Sequence, residues 1–121
     1  MKLKLAVMSL VSLMSYSATS NDELPAHIAS PDQYSVLLDN DSVLVLKMEL
    51  DAGESDEWHF HRTETVYFEK GGELRITTST GEMKLTVPDG HVMWHEPWQH
   101  QVSNIGNTQI TAIIVEQKAH E

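Results

Sequence analysis

The feature that most restricts this chain is a repeated alternation. Short runs switch between apolar and polar residues, and each is closed within a few positions by a turn signal. Val43 to Leu50 shows it best, with Leu44, Leu46, Met48 and Leu50 on one parity. On an extended backbone residues two apart share a face, so such a run buries one side and wets the other. Further runs follow at Glu64 to Glu69, Glu73 to Thr78, Met83 to Val87, His91 to His95, His100 to Ser103 and Thr108 to Gln117. Between them lie Asp51-Ala52-Gly53, Lys70-Gly71-Gly72, Ser79-Thr80-Gly81, Pro88-Asp89-Gly90 and Asn104-Ile105-Gly106-Asn107. Regular short strands joined by polar, Gly-containing turns predict an all-β sandwich or barrel. No segment sustains a long 3.6-residue period, so little helix is expected.

A chain of 121 residues has room for one core and no second domain. Its eighteen acidic and eight basic residues, net charge −10, argue against nucleic acid, whose affinity rests on Lys and Arg displacing counterions. With no cysteine, disulfides, thiolate nucleophiles and zinc fingers are excluded, so any metal must be held by histidines and carboxylates. Residues 1–20 have the layout of a secretory signal peptide: Lys2 and Lys4, an apolar stretch from Leu5 to Met14, then small residues ending in Ala18-Thr19-Ser20. Export to the periplasm or the medium is therefore expected, with no membrane attachment after cleavage before Asn21. Residues 21–33 then form a lead-in arm, 34–117 the folded domain and 118–121 a tail.

Potential chemistry gathers around Trp58-His59-Phe60-His61-Arg62-Thr63-Glu64. His59 and His61 are two apart, so both imidazoles leave one face of a strand and can share an ion at about 2.0–2.2 Å each. Two ligands fill only part of a coordination sphere. A third has to come from another strand, where His91, His95 and His100 are the candidates.

Gly53, five residues, His59-x-His61, Glu64 and Gly71-Gly72 together resemble the first cupin motif, G-x5-H-x-H-x3-4-E-x6-G. Pro97-x2-His100-x3-Asn104 resembles the end of the second, P-x-G-x2-H-x3-N. The resemblance covers about residues 34–117, and the chain is similar to small single-domain bacterial cupins. It implies a double-stranded β-helix, the RmlC-like jelly-roll barrel, holding one divalent transition metal (Fe, Mn, Ni, Cu or Zn) on His59, His61, Glu64 and His100. Two departures stand out. Glu64 keeps the six-residue gap to Gly71 but has only two residues between it and His61, and counting back from Gly72 puts Thr65 in that slot. The second motif lacks its Gly and is shortened between Pro97 and His100, which leaves His95 as the reserve third ligand. The shared parity of Glu64, Val66 and Phe68 favours Glu64 as the inward residue.

Other residues have plainer roles. Trp94 and Trp98 are expected to fill core space, as are Met48, Met83 and Met93. Tyr67 is a proton-donor candidate only by its nearness to the first motif. The expected function is a metal-binding cupin, as a metalloenzyme of oxygenase, isomerase or lyase type acting on a small carboxylate or oxygenated molecule. The alternative is a non-catalytic module that binds or senses a metal or small ligand. The resemblance also implies that two copies can pair as a homodimer through sheet edges.

Overall fold

The computed structural model describes residues 24–119. The leader expected over 1–20 lies outside the described residues, as do positions 21–23, 120 and 121. A one-turn helix α1 (Ala26–Ala29) leads into β1 (Tyr34–Asp39), β2 (Val43–Leu50), β3 (His59–His61), β4 (Glu64–Lys70), β5 (Gly72–Thr78), β6 (Gly81–Val87), β7 (Val92–His95), β8 (Trp98–Asn104) and β9 (Ile110–Gln117). The strands form two antiparallel sheets, in the orders β1-β2-β9-β4-β7 and β3-β8-β5-β6. The chain is all-β, as its alternation predicts, and its two sheets form the jelly roll that the resemblance implies. Among the described residues no helix is long and apolar enough to cross a membrane.

The core follows from parity. Leu44, Leu46, Met48 and Leu50 of β2 are all buried, as are Val66 and Phe68 of β4, Leu74 of β5, Val102 of β8 and Ile110, Ala112 and Ile114 of β9. Both sheets contribute, so the apolar faces close on each other, and the other parity is mostly more exposed, with Ser103 and Thr111 the buried exceptions. The arm is no loose lead-in after Leu24. Ala26 is fully buried, Pro25 bridges Phe60, and the Phe60 N–H donates to the Leu24 carbonyl at 2.8 Å. This lays the arm along the free side of β3, whose three residues pair only with β8 among the named strands.

Two glycines are demanded by geometry. Gly90 takes φ +81° in the Pro88-Asp89-Gly90 turn, a region that residues with a Cβ rarely enter. At Gly71 a Cβ would lie 1.9 Å from the Val87 carbonyl oxygen, so only hydrogen fits between β4 and β6. The Gly71 N–H donates to Asp89 Oδ1 at 2.8 Å, tying this crossing to the Pro88 turn.

Two expected core residues lie outside. Trp94 is 58% exposed and Met83 45% exposed. Their strands β7 and β6 are sheet edges, and the inward parity of β7 belongs to half-buried Met93 instead.

Candidate metal centre

β3 and β8 pair antiparallel with His59 opposite His100 and His61 opposite Trp98. That register, with the period of two along β3, sends three imidazoles into the barrel. His59, His61 and His100 are 0%, 1% and 4% exposed. Their ring centroids lie 4.6, 4.7 and 5.2 Å apart, and one nitrogen from each falls within 4.8 Å of the others.

The neighbours on the far side of two rings decide where their lone pairs point. His59 Nδ1–H donates to the Glu57 carbonyl at 2.7 Å, and a carbonyl only accepts. His61 Nδ1–H donates to Glu116 Oε2, also at 2.7 Å. Both protons are thereby placed on Nδ1, and two bare Nε2 atoms face each other 3.0 Å apart. Burial pushes the pKa of His59 down and that of His61 well down; His100 is pushed down to about 2, chiefly by burial and then by the other histidines. All three are thus neutral acceptors near neutrality. Two lone pairs at 3.0 Å repel unless a cation lies between them, and that spacing suits two neighbouring ligands at about 2.1 Å with about 90° between them. His100 Nδ1 is buried with no hydrogen-bond partner, a further polar atom left without a protein contact. The donor set therefore fits a divalent transition-metal ion, and three imidazoles leave coordination positions open.

Three buried carboxylates stand around these rings. Glu64 is 2% exposed, whereas Thr65 is exposed, so Glu64 is the inward residue of that pair. Its Oε2 accepts from Trp98 Nε1–H at 2.6 Å, while Oε1 lies 3.7 Å from His61 Nδ1. Glu64 thus lies beside the cluster but outside its three converging nitrogens. Glu116 holds His61 and is pushed up in pKa by burial. Asp56, 1% exposed, accepts from Tyr34 Oη–H at 2.6 Å and from the Val102 N–H at 2.8 Å, and its Oδ2 lies 3.6 Å from His59 Nδ1. Burial raises Asp56 and Glu64 to about 7.

Sequence reasoning missed Tyr34, Asp56 and Glu116. Glu116 carried a signal, since it shares the inward parity of Ile110, Ala112 and Ile114 and an acid there needs a partner. Asp56 sits in a polar loop and carried none. Tyr34 opens β1, which the alternation does not announce.

The rings open into a cavity of about 40 Å³ between the sheets, walled mainly by Val66, Phe68, Leu74, Ile76, Met93 and Val102. Trp98 lines it, with its indole packed edge-on against His100 at 4.2 Å between centroids. His95 stacks on that indole with 3.5 Å between centroids, and its Nδ1 donates to the Glu96 carbonyl, so it buttresses Trp98 and stays outside the cluster. Tyr67 faces outward at 45% exposure and is no proton donor to this cavity. His91 is exposed.

No protein-family model and no curated protein matches the chain. Solved structures do. A cupin-domain protein from Bordetella pertussis Tohama I is 26% identical with a TM-score of 0.67, over 71% of this chain and 92% of that one. A protein from Thermotoga maritima described as a predicted oxalate decarboxylase is 23% identical with a TM-score of 0.55, over 71% and 79%. A protein from Silicibacter pomeroyi described as a sugar phosphate isomerase of the cupin superfamily is 20% identical with a TM-score of 0.53, over 78% and 66%.

Proposed function

The chain belongs by its fold to the cupin jelly-roll superfamily, and from that premise we propose that it is a metalloprotein binding one divalent transition-metal ion on His59, His61 and His100. The observation that carries the reading is the pair of bare Nε2 atoms 3.0 Å apart, each oriented by an acceptor on its Nδ1. Acceptors of that kind fix the ring angle and raise the basicity of the ligating nitrogen. A bound ion with open positions supplies Lewis-acid activation of a coordinated small molecule or water. Glu64 is its fourth ligand or the proton acceptor beside it.

Metal analysis of protein from its native compartment tests this. About one equivalent of transition metal is expected, lost on His59→Ala, His61→Ala or His100→Ala. Unchanged metal content in all three variants would reject the assignment.

The same reading includes export, supported by the composition of residues 1–20, and pairing of two copies, supported by the outer face of the larger sheet. Val45, Val115, Thr65 and Trp94 form one cross-strand row there, and Lys47, Ile113, Tyr67 and Val92 the next.

A further inference from the structure

Every residue that lines the metal cavity is buried except Met93 and Trp98, which are half-buried. The way in from solvent therefore runs past these two side chains. Met93 lies on β7 and Trp98 opens β8, and the exposed residues Glu96 and Pro97 join the two strands. The register places Met93 beside Val66 and His95 beside Glu64. Met93 and His95 are two apart on one strand, so they share a face, and on that face His95 covers the Trp98 indole. The mouth of the cavity is thus framed on one side by an indole and on the other by a thioether.

The two sides differ in stiffness. Trp98 is held three ways: its Nε1–H donates to Glu64 Oε2 at 2.6 Å, its ring meets His100 edge-on at 4.2 Å between centroids, and it stacks with His95 at 3.5 Å. The hydrogen bond persists whether Glu64 is protonated or ionised, since a carboxyl oxygen accepts in either state. Met93 has no polar anchor. It is an unbranched side chain with three rotatable bonds, on an edge strand that pairs only with β4 among the named strands. Such a side chain yields to a passing ligand by changing rotamer. The cavity behind it measures about 40 Å³, room for roughly three waters. A single five-membered ring fits that space, and a fused pair of rings does not unless Met93 withdraws.

We propose that Met93 is a specificity-determining residue of the metal centre: its side chain closes the mouth against Trp98 and sets the size of the molecule that reaches the ion. The inference rests on the metal-centre reading above and adds an entry filter to it. The filter is steric and does not depend on the charge of any group around the rings.

The test uses the full protein loaded with cobalt(II), whose visible spectrum reports ligands entering the coordination sphere. The probes are imidazole and benzimidazole, which offer the same donor nitrogen on one ring or on two and are both largely uncharged in mildly alkaline buffer. Met93→Ala opens the mouth and is expected to strengthen benzimidazole binding by about tenfold, the cost of forcing an oversized group into a packed space, with imidazole within about threefold. Met93→Phe narrows the mouth. It is expected to slow imidazole entry and exit alike by about fivefold in stopped-flow traces, because a raised barrier between unchanged end states alters both rates and leaves the affinity in place. A residue that merely supported the fold would not move the two rates in step. A benzimidazole-to-imidazole affinity ratio unmoved by Met93→Ala, imidazole rates unmoved by Met93→Phe, or a cobalt protein whose spectrum responds to neither probe would each overturn the proposal. Cobalt that fails to bind stoichiometrically, or binds equally well to the His59→Ala protein, instead brings down the metal-centre reading itself.

Discussion

Glu64 is the residue on which most of the local chemistry turns. Burial lifts its pKa from 4.5 to about 7 in the metal-free protein, partly offset by the hydrogen bond from Trp98. The unfolded chain releases this proton near 4.5 and the folded chain holds it until about 7. Its contribution to stability is therefore fully present below about 4.5 and is lost as pH rises through about 7. Glu64→Gln removes the titration. Metal-stripped wild type and variant are expected to differ little at pH 4.5, with the variant gaining on the wild type by up to about 3 kcal/mol at pH 8. Urea unfolding at both pH values measures this, and a gap that stays constant with pH would show that Glu64 does not titrate late. Asp56, raised to about 7 in the same way, persists in both proteins and cancels from the difference.

At the scale of elements, the site depends on strands being held in register by side chains that never touch a metal. Asn104 ends β8, two turns of the pleat beyond His100. Its Nδ2 donates to the Leu50 carbonyl at 2.9 Å and to the Thr108 carbonyl at 2.8 Å, and its Oδ1 accepts the Gly106 N–H at 3.0 Å. One buried amide thus ties β2, β8 and the turn before β9, which gives the motif's Asn a structural task. Asn104→Ala removes a hydrogen-bond partner from the buried Leu50 carbonyl, the part-buried Thr108 carbonyl and the Gly106 N–H, and is expected to destabilise the fold by about 1–3 kcal/mol, read as a lower urea midpoint. A loss below about 0.5 kcal/mol would mean that water replaces the amide at no cost. The local half of this arrangement was legible beforehand. The period of two put His59 and His61 on one face, and Val66 and Phe68 on the same parity drew Glu64 inward. The non-local half was not, because nothing local sets His100 opposite His59 or brings Glu116 to His61 across the barrel. Trp94 was misplaced for a related reason. A four-residue edge strand does not reveal which parity faces in, and indole area pointed the wrong way.

For the molecule as a whole, the question is why a chain of net charge −10 leaves an acid-free, largely apolar face in water. The register of the larger sheet lines up Leu38, Val45, Val115, Thr65 and Trp94 in one row and Ser35, Lys47, Ile113, Tyr67 and Val92 in the next. Neither row holds an acid, although acids outnumber bases eighteen to eight in the chain. Glu49 and Glu69 continue the same parity only beyond the rows. Five strands at about 4.8 Å make this patch roughly 20 Å across, with a polar border of the kind that surrounds an interface core. Two strongly acidic copies repel elsewhere, so the acid-free face is where they can approach, and a two-fold contact lets Lys47 meet an acid on the rim of the other copy. Sedimentation of the wild-type protein is expected to give a dimer. Trp94→Glu, made at a position 58% exposed in the single chain, is expected to give a folded monomer with unchanged circular dichroism. It places charge at the β7 end of the contact, on a side chain exposed in the single chain, so folding and association separate. A wild-type protein that sediments as a monomer at micromolar concentration, or a Trp94→Glu dimer of undiminished strength, would leave this face without a second copy to cover it.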